Sequence, residues 1–313
     1  MSERARISRE YHGWVADRLA EDGGARNLAI AVQLRAMSLS GSLYELDDAL
    51  PALEGDARIA SWIERAMSEG RDDALVHMLL NRRFSTADAP RLAALRTQWM
   101  RIAPGNLVPA MFEAQARANA ADALPALARD TSRFDVYWAE QLRTVIDAFL
   151  RHPPGPAHAA VLLEEDTSTV RSYAATMAIY MVEFPRFTDA IDACRGDALR
   201  RSPERRGDCL QLGSLLADRS DTLIAHAMGL AILVRAADDE AGRAAAEERR
   251  RLTGWQMHKW QVLSAETPAE TADAVTARAL PSATSELDLM RAALTHHGIE
   301  LAPPPCWKHT PLQ

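Results

Sequence analysis

Lysine is almost missing from this chain of 313 residues. Only Lys259 and Lys308 occur, so nearly all positive charge is arginine. A compositional bias accounts for this more simply than a demand for bidentate partners. Cysteine is sparse as well: Cys194, Cys209 and Cys306 show none of the paired spacings of a zinc site or a disulfide framework. That leads to an expectation of reduced thiols and a cytoplasmic setting. Aromatic residues make up 6%, and no stretch alternates apolar and polar residues over a strand length, which argues against a sheet-based fold. The longest apolar run, Leu223 to Val234, is broken by His226 and is far short of the ~20 residues that span a bilayer. The opening MSERARISREYHGW has charge but no apolar core and no small-residue cleavage site, so no signal peptide is expected. The net charge of −7 argues against a general affinity for nucleic acid or anionic membrane, and neither is expected as a partner.

What the chain does have is alanine and helical periodicity. Alanine has the best helix propensity and loses no side-chain entropy, so its abundance favours closely packed helices. Residues 26–39, 170–184 and 222–235 are apolar on almost every side, as in helices buried between neighbours. Residues 136–150 instead place Leu142, Val145, Ile146 and Phe149 on one stripe. Thr267-Pro268-Ala269-Glu270 combines a cap, a first-turn proline and a capping-box acid, and Ser202-Pro203-Glu204 repeats most of that signature. Asp88 stands before PRLAALRTQWM in a similar way. Glu183, within IYMVEF, is a carboxylate in an apolar setting and needs a polar partner such as an arginine.

Candidate hairpin starts fall near residues 72, 106, 138, 170 and 204, a step of 32 to 34. Such a period is that of a helix-turn-helix repeat, in which one pair buries its apolar face only by stacking on the next. With Pro104 as a unit's closing proline and Ala114 and Ala126 at the small contact positions, residues 72–236 resemble tetratricopeptide-like repeat proteins. Leu80, Leu92 and Trp138 depart from that pattern. The resemblance implies an all-α fold of stacked antiparallel hairpins, α-solenoid-like, with an irregular multi-helix bundle as the alternative. One helical array is expected over residues 1–301, with a possible subdivision at the proline-rich 152–156, followed by a proline-rich tail at 302–313.

Two clusters invite chemistry. In GWQMHKW, Trp255, His258 and Trp260 could shape an interaction hot spot or a ligand pocket. A helix using large side chains to fill gaps explains them more simply. The tail gathers His296, His297, Cys306 and His309, ligand types that zinc accepts. Three consecutive prolines hold the Cys–His end extended, however, and the adjacent histidines read better as the last turn of a helix before Gly298. No metal and no cofactor are expected, with Cys306, His309 and His296 as the weaker metal alternative. Glu164-Glu165-Asp166 reads as a solvated turn, and the arginine clusters are interleaved with acids at helical spacing. No nucleotide-binding, hydrolase-elbow or paired-cysteine motif occurs. The leading expectation is a non-catalytic interaction or scaffold protein with an unidentified protein partner. The runner-up is a helical enzyme or small-ligand binder with a pocket near Trp255, His258 and Trp260.

Overall fold

The computed structural model describes residues 3–40, 55–81, 89–117, 120–163, 169–196, 199–200 and 202–307. Asp88 and the run Glu164-Glu165-Asp166 lie outside them. Among the described residues the protein is all-α, with sixteen helices and no strand. The first five are α1 (Glu3–Asp22), α2 (Ala25–Ser40), α3 (Ala57–Glu69), α4 (Ala74–Asn81) and α5 (Ala89–Ile102). Next come α6 (Leu107–Gln115), α7 (Ala120–Leu127), α8 (Trp138–Arg151), α9 (Pro156–Leu162), α10 (Val170–Met181) and α11 (Phe187–Ala193). The chain closes with α12 (Pro203–Arg219), α13 (Leu223–Ala236), α14 (Glu240–Glu266), α15 (Ala269–Ala279) and α16 (Glu286–His296). Helices begin at Ala74, Leu107, Trp138, Val170 and Pro203, close to the five expected starts.

These helices form two compact units, each drawn from separated stretches of chain. Unit 1 holds residues 1–102, 140–183 and 268–273; unit 2 holds 103–139, 184–267 and 274–313. The chain thus passes repeatedly from one unit to the other, and residues 152–156 fall inside a unit 1 segment.

In unit 1 the centre is α2, which packs on α1, α3 and α4. Leu28, Ala29, Ile30, Ala31, Val32, Gln33 and Leu34 are all fully buried, consistent with its all-round apolar sequence. Gly23 and Gly24, both at positive φ, make the turn between α1 and α2. The one polar member, Gln33, donates its amide N–H to the Leu79 carbonyl, which offsets the cost of burying it. On α8, Leu142, Val145, Ile146 and Phe149 are buried together, as their spacing required. Glu183 finds its partner in Asn81, whose Nδ2 donates to Glu183 Oε2 at 3.0 Å while Arg96 Nε donates to Asn81 Oδ1 at 2.9 Å.

Unit 2 is organised by the α12–α13 hairpin, against which α7, α11 and α14 pack. Ser202 caps α12 by accepting the Arg205 N–H, with Pro203 in the first turn, as its sequence indicated. The expected box at Thr267 is displaced: Thr267 closes α14 and the next helix starts at Ala269. Extended segment 131–137 threads between two turns, bridging Asn106 through Arg133 and Ser220 through Phe134.

The cysteine expectation needs correcting. Cys194, which ends α11, and Cys209, in α12, are joined by a disulfide, and both are fully buried. Their thiols are therefore not free, while Cys306 is exposed. A separation of 15 residues matches no motif; the pairing follows from α11 ending against the second turn of α12. Closing a loop of that length contributes about 3 kcal/mol by restricting the unfolded chain. Cys209→Ala is expected to lower the unfolding free energy by about that amount in urea titrations. Alkylation of the unfolded, unreduced protein should label Cys306 alone; labelling of Cys194 or Cys209 would contradict the pairing.

Candidate functional site

Of the sequence candidates, Trp255, His258 and Trp260 lie on α14, a helix of 27 residues and so about 40 Å long. Its first half is exposed on most sides, with Ala246 the buried exception before Thr253. The second half meets the segment that follows α16. Trp255 Nε1–H donates to the Glu300 carbonyl at 2.9 Å, and Gln256 Nε2–H donates to the Leu301 carbonyl at 3.1 Å. Gln256 also accepts from Arg291 Nε at 3.1 Å, which ties α14 to α16. Together these bonds fix the 298–307 segment along the helix. Trp307 then meets Trp255 edge to face, with ring centroids 5.7 Å apart, and Lys259 Nζ sits 4.7 Å from the centroid of the Trp255 ring. The edge-to-face contact and the cation over the ring both suit the tryptophan quadrupole.

Trp255 and Trp260 have different neighbours. Trp260 packs, with Met257, Leu263, Leu287, Ile299 and Leu301, on the buried cluster of Leu223, Met290 and Leu294. His258 is exposed. Trp255 and Trp307 are both half-buried, so the seam shows a fixed aromatic pair to solvent, with Lys259 and His258 on the same helix. In the tail, the His296 and His297 rings lie edge to face at 5.2 Å, His296 ends α16 and His297 follows as its cap. His309 lies outside the described residues, and among those described no group of three or more His, Cys, Asp or Glu side chains could hold a metal ion.

Two further polar centres have no counterpart in the sequence candidates. In unit 1, Tyr11, Phe149 and Tyr173 form a mutual aromatic cluster with centroids 5.7 to 6.2 Å apart. His12 lies beside it, its Nε2 2.7 Å from the Tyr173 hydroxyl, while the Tyr11 hydroxyl donates to the His152 carbonyl at 2.8 Å. Burial pushes the Tyr173 phenol up to about 12 and raises Tyr11 further, so neither ionises near neutrality.

Burial also pushes His12 down to about 4, and it depresses His77 and His226 in the same direction. The unfolded chain therefore binds more protons than the folded one as pH falls from 6.5, the ordinary histidine value, through about 4. Stability is complete above that window and lost within it, by about 3 kcal/mol for His12 alone. Urea titrations at pH 7 and pH 4 should show His12→Gln losing about 3 kcal/mol less on acidification than the wild-type chain. Equal losses would refute a neutral buried His12.

In unit 2 a buried junction gathers Asn106, Asp135, Tyr137, Asp221 and Glu286. Asn106, 3% exposed, uses its whole amide: Nδ2 donates to the Asp135 carbonyl at 2.8 Å and to the Tyr137 hydroxyl at 3.1 Å. Its Oδ1 accepts the N–H groups of Val108 at 3.2 Å and Asp135 at 3.1 Å. Tyr137 has φ of 58°, uncommon for a bulky residue; its N–H is held by Asp135 Oδ1 at 2.7 Å. Asp221 accepts from Val136 N at 3.1 Å and Trp138 N at 2.7 Å, serving the open end of α8. Glu286 Oε2 accepts from Leu223 N at 2.8 Å, and the Glu286 N–H donates to the Asp221 carbonyl at 2.8 Å. Burial raises the Glu286 carboxyl above its ordinary range.

No family model matches the chain, and neither a curated protein nor a solved structure matches it. No helix among the described residues is long and apolar enough to cross a membrane.

Proposed function

We propose that this is a non-catalytic interaction or scaffold protein whose contact surface is the seam between α14 and residues 298–307. The observation that carries this reading is the half-exposed Trp255–Trp307 pair, held by the Trp255 bond to Glu300 and covered on one face by Lys259. Aromatic anchors already fixed in place lose little conformational freedom on docking, which is why tryptophan is enriched at interface hot spots. The buried histidines also favour this reading. His12 and His226 direct their ring nitrogens at neighbouring protein groups, with His226 bonded to the Ala217 carbonyl and to Thr253 Oγ1.

The helix pairs opening at Ala74, Leu107, Trp138, Val170 and Pro203 fit a tetratricopeptide-like origin for the framework, and we extend the proposal to it. A ligand pocket shared by Trp255, His258 and Trp260 has less support, because Trp260 is occupied in packing against Met290 and Leu294. The buried Cys194–Cys209 bond favours an oxidising setting over the cytoplasm.

A photo-crosslinking residue placed at exposed His258 tests the surface, with one at exposed Glu247 as the control. Protein adducts formed from position 258 and not from 247 are expected. Equal labelling from both positions, or none from 258 under conditions where the chain is captured with a protein, would remove the seam from the account.

A further inference from the structure

We infer that α14 and α16 form a docking face for an extended, proline-containing segment of a partner protein, filled in the free chain by its own residues 299–307. The inference rests on the α14 seam being the contact surface and names what that surface takes. Trp255 and Lys259 stay on α14 as anchors, and the strap of residues 299–307 is the part that gives way.

The strap lies on unit 2 as a bound peptide would. Ile299, Leu301 and Pro303 are half-buried, while Glu300, Ala302 and Pro304 between them are exposed. That alternation is the period of an extended chain lying along a surface. Ile299 and Leu301 pack against the buried Leu223, Met290 and Leu294. Trp255 Nε1–H donates to the Glu300 carbonyl at 2.9 Å and Gln256 Nε2–H to the Leu301 carbonyl at 3.1 Å.

Both bonds start on α14 side chains and end on strap carbonyls, so neither depends on a strap N–H. Proline has no N–H to give and its φ is fixed. Ala302, Pro303 and Pro304 each precede a proline, which restricts them to extended backbone. A proline-containing segment therefore keeps both bonds and loses little freedom on docking. Pockets for alternate side chains and an aromatic platform are the means by which extended and proline-rich peptides are read.

The strap leaves α16 through Gly298, at φ 68°. The Gly298 N–H donates to the Thr295 carbonyl at 3.0 Å and the Ile299 N–H to the Leu294 carbonyl at 2.9 Å, a helix-ending pair of bonds. The Trp307 N–H is spent within the strap, on the Pro304 carbonyl at 3.0 Å. Its ring meets Trp255 at 5.7 Å. So short a tether gives the strap an effective concentration on the order of millimolar, which a free segment must outcompete. A partner gains the difference from contacts beside the strap, where His258 is exposed one turn beyond Trp255.

Fluorescence polarisation of a labelled synthetic peptide of residues 298–307, carrying Cys306→Ser, tests this on the full-length protein. The peptide should bind the Leu301→Ser/Trp307→Ser chain, whose own strap is weakened, at least about tenfold more tightly than wild type. Adding Trp255→Ser should abolish that gain. Should the double variant not fold, Trp307→Ser alone is expected to show a smaller gain in the same direction. Equal affinity for wild type and a folded strap variant, or no binding to either, overturns the inference. So does equal binding of a peptide with the same residues in scrambled order. If a captured protein depends on Trp255 and Trp307 but the peptide does not bind, this inference fails and the contact surface stands. If the peptide binds as expected but the captured protein ignores both tryptophans, the docking face is supported and the proposed protein contact at the seam fails.

Discussion

Replacing Gly229 with alanine should cost about 4 kcal/mol, above the ~1–3 kcal/mol usual for overpacking. Gly229 lies in α13 where it crosses α12, and a Cβ there would come within 2.7 Å of the Gly213 carbonyl oxygen and 2.8 Å of the Leu216 carbonyl carbon. It would also press on the Ala217 nitrogen. All three obstacles are backbone, so no side-chain rotation relieves them and the hairpin itself must open. Opening it disturbs Leu212, Leu216, Leu230 and Ile232, all at 0 or 1% exposure. Gly207, in the adjoining helix, is the internal control: nothing lies within 4 Å of its added Cβ. Gly207→Ala should stabilise by up to about 1 kcal/mol through helix propensity and a less flexible unfolded chain. Thermal and urea unfolding of the two variants should therefore shift in opposite directions. A Gly229→Ala chain within 1 kcal/mol of wild type, on the ~4 kcal/mol scale set here, would mean the close crossing is not the native one.

Asn106→Ala should destabilise by a similar amount, about 4 kcal/mol, for a different reason. The loss is of partners: the substitution strands the Val108 and Asp135 N–H groups and the Asp135 carbonyl in one small region, and removes a donor to the Tyr137 hydroxyl. Each orphaned buried group costs roughly 1–3 kcal/mol, tempered here where Asp135 reaches solvent. Asn106→Asp is the sharper companion, since it keeps the acceptor and removes the two donors. It should lose the Asp135 carbonyl and Tyr137 hydroxyl contacts, retain the cap on α6, and fall between alanine and wild type at neutral pH. If alanine and aspartate behave alike, the donors do nothing for the junction.

The helices were legible where local chemistry decides. The apolar run at 26–39, the stripe on α8 and the Ser202 cap each depend on residues within a turn or two, and each forms as read. Glu183 showed from sequence that it needed a partner, but not that Asn81, about a hundred residues earlier, would supply it. The unit 2 junction was illegible for the same reason, enlarged. Asn106, Asp135, Asp221 and Glu286 stand in four separate stretches, in polar contexts that read as ordinary turns, and only the fold brings them together. The Cys194–Cys209 pair follows no spacing rule, because it depends on where the end of α11 meets α12 in the fold. At the candidate surface, helical spacing placed Trp255, His258 and Trp260 on one helix but not on one site. The neighbours of each tryptophan come from the segment after α16 and from α13 and α16.

The α14 seam, and no interior pocket, is proposed to carry the work. Affinity capture of the full-length chain from its native source, beside a folded Trp255→Ser/Trp307→Ser double variant, tests this most directly when proteins and small molecules are read in the same samples. A protein should be recovered near one-to-one with the wild-type chain and be lost, together with the aromatic pair, from the variant. A small molecule recovered in place of a protein, or a protein retained equally by the variant, would contradict it.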